Sequence, residues 1–255
     1  MSERCAQVPP QVVSKQVPPQ AVPPQVLTQT PPQVAPNENQ TQAQAAQAFA
    51  LLAETLSRCL LRPTEGLAGE LQSGALSDQL ESLINTGDDE ELVQALAAVK
   101  SEELALAHME LTQARLALEV EYNRLFVGPG KVLAPPYESF FLTAHEEGGR
   151  GRLRGPSERA VRACYAKFGY AMPELFIDFP DHIAIELEFI AMLANEEARA
   201  WCDGNEDIAL FKQRAIDDFC CDHLACWVGP FAAAVAAGSR RALYPAIATL
   251  AKRLA

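Results

Sequence analysis

Phe179-Pro180-Asp181-His182-Ile183-Ala184-Ile185-Glu186-Leu187-Glu188-Phe189 decides the fold class. Proline suits the first turn of a helix, and an aspartate beside it meets the unpaired backbone N–H groups found there. Apolar residues then recur at helical spacing, predicting a helix from Pro180 or Asp181 to about Trp201. A companion lies upstream, from Glu121-Tyr122-Asn123-Arg124-Leu125-Phe126 through Ala134-Pro135-Pro136-Tyr137-Glu138-Ser139. It ends one helical run and leads into the next across a glycine- and proline-rich loop at 128–136.

The same periodicity predicts helices over residues 42–61 (Phe49, Leu52, Leu56 and Leu60 near one face) and 70–83. Asp88-Asp89 starts another, and Ser101-Glu102-Glu103 resembles a further start for a run to about Phe126. Ser157 followed by Glu158 is expected to cap a helix to about Gly169. A long helix follows over 205–235, with a kink at Gly229-Pro230, and Ser239 caps the last helix. No run of alternating β-branched residues argues for strands. The prediction is an all-α protein: one multi-helix, bundle-like domain over 41–255. Residues 1–40 repeat Pro-Pro-Gln-Val or Pro-Pro-Gln-Ala four times and read as an open, disordered proline-rich arm, or as a ligand for a proline-recognition module.

The 255 residues carry a net charge of −12, which argues against affinity for nucleic-acid backbones or anionic membranes. Seven cysteines at irregular spacing, without a CxxC pair, read as reduced thiols rather than a secreted disulfide framework. No signal peptide is visible at the N-terminus, and no uninterrupted apolar run reaches the roughly 18–20 residues of a membrane span. A cytoplasmic protein without stable membrane insertion is expected.

Several constellations could carry chemistry. Asp181, His182 and Glu186 could cap a helix, form a binding site, or supply part of a metal-dependent hydrolase. Gly128-Pro129-Gly130-Lys131 fails as a phosphate loop, since Val132 stands where Ser or Thr should follow the lysine and no nucleotide or other cofactor is expected. Cys220, Cys221, His223 and Cys226 read as small thiols at a helix interface rather than a zinc site. Arg150, Arg152 and Arg154 read as a solvated connection. Tyr122, Leu125 and Phe126, followed by Pro135, Pro136, Tyr137, Phe140 and Phe141, combine rigid prolines with aromatics. That combination suits either a helix corner or the capture of an apolar peptide.

At the quoted residues, with Asp222-His223-Leu224-Ala225-Cys226-Trp227-Val228 near the C-terminus, the sequence resembles the TorD/DmsD/NarJ family of molybdoenzyme maturation chaperones. The resemblance runs from about residue 45 to the end. It implies a TorD-type helical domain, without catalysis, that binds the twin-arginine signal peptide or the apo catalytic subunit of a molybdenum oxidoreductase. Such a protein assists cofactor insertion and delays export, as a monomer or a domain-swapped dimer. The implied client-binding residues are Tyr122, Leu125, Phe126, Pro135, Tyr137, Glu138, Ser139, Asp181, His182 and Glu186. A scaffold recruiting partners through the proline-rich arm is the remaining alternative.

Overall fold

The computed structural model describes residues 38–146, 151–172, 174, 176 and 178–255, and of residues 145 and 146 the backbone alone. The proline-rich repeats lie outside the described residues. Among these, eleven α-helices and two π turns alternate with short connections, and no strand forms. The all-α expectation holds.

Helix α8 (Ile183–Cys202) is the axis of the core. Its first two turns, Ile183, Ala184, Ile185, Leu187, Phe189 and Ile190, are buried on every side, as expected for a helix surrounded by others. Helix α1 (Glu38–Cys59) runs antiparallel along it: Ser57 Oγ donates to the Ala184 carbonyl at 2.7 Å, and Gln47 Nε2 to Asn195 Oδ1 at 3.1 Å. The buried face of α1 is Ala43, Ala46, Ala50, Ala53 and Leu56, while Phe49 and Leu52 are only partly covered. Small side chains let the two backbones approach closely, which the expected large-residue face would not.

Helices α2 (Glu65–Ser73) and α3 (Ala75–Leu83) replace the single helix expected over 70–83. Gly74 divides them at φ 80°, a left-handed conformation that glycine adopts without strain, and its N–H returns to the Glu70 and Leu71 carbonyls. Helix α4 (Glu90–Leu106) starts as expected at Asp89, whose Oδ1 accepts from the Glu91 and Leu92 N–H groups. Ser101 starts nothing: it lies inside α4, because no glycine or proline breaks the helix before it. The interruption comes at residues 107–110, ahead of α5 (Leu111–Tyr122) and its π turn Asn123–Val127.

The two glutamates of that false start cap other helices instead. Glu103 takes the Ser77 N–H at 2.9 Å and its hydroxyl at 2.7 Å, in the first turn of α3. Glu102 takes the Ala242 N–H at 3.0 Å and pairs with Arg241, at the entry to α11 (Leu243–Leu254). Ser239 is no simple cap of α11 either, since it donates to Glu121 Oε1 at 3.0 Å and precedes the helix by four residues. Glu121 also takes the Arg240 N–H and both forks of Arg124.

Helices α6 (Glu138–Glu146) and α7 (Pro156–Phe168) flank the entry to α8. Helix α7 begins at Pro156 behind Gly155, without a side-chain cap from Ser157. Helices α9 (Glu206–Phe219) and α10 (Ala225–Gly238) are joined by the π turn Cys220–Leu224 into one run. The irregularity falls at that turn and Pro230 stays within α10, so the expected Gly229-Pro230 kink is displaced. By length and composition, Glu206–Gly238 is long and apolar enough to cross a membrane. Asp217, Asp218 and Asp222 interrupt it, so no uninterrupted apolar run of that length occurs there. Its apolar side chains Phe219, Leu224, Trp227, Phe231 and Val235 are buried in the core.

Glu102→Ala should lower unfolding free energy by about 1–3 kcal/mol in urea titrations, since it orphans a capped N–H and the Arg241 guanidinium. Glu91→Ala, at the exposed pair with Lys252, should change it by less than about 1 kcal/mol.

Candidate functional site

Two helix starts meet at the residues singled out by the sequence. Tyr137 and His182 form an isolated antiparallel bridge. The Glu138 N–H donates to the Asp181 carbonyl at 3.0 Å, and the Ile183 N–H to the Pro136 carbonyl at 2.9 Å. Asp181 also reaches across with its side chain, Oδ2 accepting from the Ser139 N–H at 2.9 Å. Capping was the correct kind of role, but Asp181 caps α6 rather than its own helix. The cap of α8 is His182, whose Nδ1 accepts from the Ala184 N–H at 3.1 Å. Burial lowers the His182 pKa to about 4, so the ring is neutral and keeps the lone pair that this cap requires.

Beneath the junction lies a buried polar row. Glu138, at the head of α6, faces the His223 Nδ1 at 3.0 Å. Glu186, one turn into α8, accepts from Trp227 Nε1 at 3.2 Å through Oε2, while Oε1 has no donor. Burial first, then the neighbouring Glu138 and Asp181 carboxylates, holds the Glu186 carboxyl well above its ordinary range. The surroundings of Glu186 thus favour the protonated over the charged carboxyl. Burial also raises Asp181, and its bonds from Ser139 act against that rise. Tyr165 closes the layer by donating to the Pro180 carbonyl at 2.9 Å.

Above the junction an apolar groove of about 590 Å³ opens to solvent. Phe126, Pro135, Tyr137 and Phe140 line it from the junction side, and Val127, Val132, Gly151 and Leu153 from the flanking loops. Val127 is 58% exposed and Leu153 44%, so both walls present unpartnered apolar surface. Asp178 and Lys131 supply the charges. Asp178 accepts from the Tyr137 hydroxyl at 2.7 Å and from the Phe179 N–H at 2.8 Å. A carboxylate has about four lone-pair directions, so two remain for a bound cation.

The 151–154 segment forms the outer wall by lying back on α6. The Arg152 N–H donates to Thr143 Oγ1 at 2.7 Å, and the Arg154 N–H to Ser139 Oγ at 3.0 Å. The Arg154 guanidinium lies 4.8 Å from the centre of the Phe179 ring. The expected loose connection is tied down at both arginines, while Arg150 lies outside the described residues. At Gly151 a Cβ would stand 2.5 Å from the Phe140 carbonyl oxygen, so no larger residue fits there without moving backbone.

Of the ten residues implied to contact a client, Phe126, Pro135 and Tyr137 line the groove. Leu125, Glu138, Ser139, Asp181 and Glu186 are at most 1% exposed, and His182 is 2% exposed, so these six form the support below. Tyr122 is also buried, its ring against Phe126 and Tyr244. Val127, Val132, Phe140, Leu153 and Asp178 complete the groove. Of these, the sequence singled out Phe140 among the aromatics and Val132 only as the residue that breaks a phosphate loop. Among the described residues, no three His, Cys, Asp or Glu side chains are placed to hold a metal ion, so the hydrolase alternative lacks a ligand set. Cys220 is buried, but Cys221 and Cys226 are exposed, which corrects their reading as interface thiols.

A raised folded-state carboxyl pKa means that the folded chain holds a proton the unfolded chain releases, so this stability contribution is lost as pH rises above the ordinary carboxylate range. Glu186→Gln keeps a neutral acceptor for Trp227 and removes that loss. Thermal unfolding followed upward from about pH 4 should show the variant gaining on wild type as pH climbs through and above the ordinary carboxylate range. The gap should widen with pH, by roughly 2–4 °C for each kcal/mol recovered.

Residues 84–233 match the family model described as nitrate reductase delta subunit. The chaperone protein TorD of Vibrio cholerae serotype O1, in strains ATCC 39541 and M66-2, is 28% identical over 138 residues. That alignment covers 54% of this chain and 59% of the relative, so the chain spans about three-fifths of the length of the curated relatives it matches. A crystal structure of a proposed redox enzyme maturation protein from Archaeoglobus fulgidus superposes with a TM-score of 0.43 at 21% identity, covering 86% of this chain and 94% of that one. With more than half of its residues inside the family match, the chain belongs to the nitrate reductase delta subunit family, of the TorD/NarJ type.

Proposed function

We propose that this protein is a cytoplasmic maturation chaperone that holds the twin-arginine signal peptide of an apo molybdenum oxidoreductase subunit in the groove above the α6–α8 junction. The observation that carries this reading is the groove itself: exposed apolar walls at Val127 and Leu153, with a carboxylate at the rim. A signal peptide combines an arginine pair with an apolar stretch, which is the complement of Asp178 beside that lining. Holding the peptide keeps the client from export while its cofactor is inserted. Family membership and the chaperone relatives support the same reading.

In this reading Phe126, Pro135 and Tyr137 touch the client. Tyr122, Leu125, Glu138, Ser139, Asp181, His182 and Glu186 hold the groove's shape. No catalytic step is required of them, since Asp181 and His182 are engaged as helix caps.

Calorimetry with a synthetic twin-arginine peptide should show Val127→Asp and Leu153→Asp each weakening binding at least tenfold, about 1.4 kcal/mol, without loss of fold. Asp178→Asn should weaken the Arg-Arg peptide and leave a Gln-Gln version unaffected. Unchanged affinity in all three variants would remove the groove from consideration.

A further inference from the structure

A second constellation lies on the other side of α6. Cys164, in α7, places its Sγ 3.7 Å from the His223 Nε2. The other ring nitrogen of His223 lies 3.0 and 3.3 Å from the two Glu138 oxygens. In the tautomer whose Nδ1–H points to Glu138, Nε2 turns its lone pair to the thiol. Thiol, imidazole and carboxylate thus stand in the order nucleophile, base and positioning group. The sequence places His223 beside Cys220, Cys221 and Cys226. The π turn at Cys220–Leu224 instead carries His223 inward, against the Phe219 ring and towards α7. Such turns often mark functional positions.

The thiol borders a cavity of about 320 Å³. Phe168 and Phe211 give it an aromatic wall, Lys167 and Arg214 line it with positive charge, and Asp218 and Asp222 with negative charge. Neither Lys167 nor Arg214 forms an ion pair among the described residues. A small molecule carrying both carboxylate and ammonium groups matches this mixed lining. Cys164 is held above the ordinary thiol pKa by burial first, with Lys167 lowering it and Asp222 and Glu138 raising it. The resting form is therefore the thiol, and reaction requires a base at the sulfur.

We propose that Cys164 is a thiolation site, at which the chain exchanges with a small zwitterionic disulfide of the glutathione type. His223 Nε2 takes the thiol proton as the Cys164 sulfur attacks one sulfur of the disulfide. A new S–S bond to Cys164 forms as the old one breaks, and the departing thiolate takes the proton back from the imidazolium. One thiol and one disulfide stand on each side, so no further oxidant enters. The site does not rest on signal-peptide binding: none of the residues lining the groove takes part in it, and Glu138 alone is shared, as a support beneath the groove.

The test treats the reduced full-length chain with glutathione disulfide and maps modified cysteines by peptide mass spectrometry over time. Cys164 should react at least tenfold faster than Cys202, Cys221 and Cys226, although those three are the exposed cysteines among the described residues. His223→Asn should slow Cys164 at least tenfold and leave the other three unchanged. Lys167→Glu, at the surface, should slow reaction with glutathione disulfide but not with neutral dipyridyl disulfide. Cys164 reacting no faster than the exposed cysteines would overturn the proposal, as would two folded variants with wild-type rates. Should circular dichroism show His223→Asn unfolded, the charge-reversal arm alone decides: a lost preference between the two disulfides supports the site, and an unchanged one refutes it.

Discussion

Two adjacent residues, Asp181 and His182, secure two helix starts at once. The Asp181 carbonyl takes the Glu138 N–H and its carboxylate the Ser139 N–H, both in α6, while His182 caps α8. The first N–H groups of a helix have no partner within it, and inside a protein they cannot turn to water. Two such starts are buried here side by side, and each is completed from the other's segment. The position of Tyr137 follows directly, because it lies in the bridge between them. Phe140 follows one turn later, and the 151–154 wall is fastened to Ser139 and Thr143 on the same helix. The groove is thus an outcome of how backbone donors were satisfied beneath it.

The device recurs. Glu103 completes α3 from within α4, Glu102 secures the entry to α11 from the neighbouring position, and Glu121 binds the chain at Ser239 and Arg240. Each carboxylate is buried and loses hydration, and each regains charge-assisted hydrogen bonds from backbone N–H groups or arginine. Glu186 is the exception: with one N–H donor and two acidic neighbours, its carboxyl is held well above the ordinary range. The difference between the carboxylates lies in how many donors surround each one.

Local features were legible from the sequence: the helical periodicity, the Asp89 cap, the loop at 128–136 and the helix entry around Pro180-Asp181-His182. So was the pairing of that entry with the Tyr122–Ser139 segment, because its residues carried a family resemblance. What escaped was long-range. Ser101-Glu102-Glu103 has the spelling of a helix start, yet its glutamates act on helices 26 and 140 residues away. Asp181 has the spelling of a local cap and serves α6. His223 has three cysteines nearby in sequence and faces a fourth, 59 residues upstream. Leu153 carries no signal, and Val127 none beyond its place in the family-like run that starts at Glu121, since an apolar residue in a loop is noticed only when its surroundings leave it uncovered.

The central claim is that a client peptide lies in the groove held by the Asp181-capped junction. Amide hydrogen exchange of the wild-type chain, with and without a twin-arginine peptide, tests it most directly. Slowed exchange on peptide binding should fall in residues 126–140 and 151–154, while the Glu138, Ser139 and Ile183 amides stay protected in both states. Protection that instead appears along α4 or α9, with 126–154 unchanged, would contradict it.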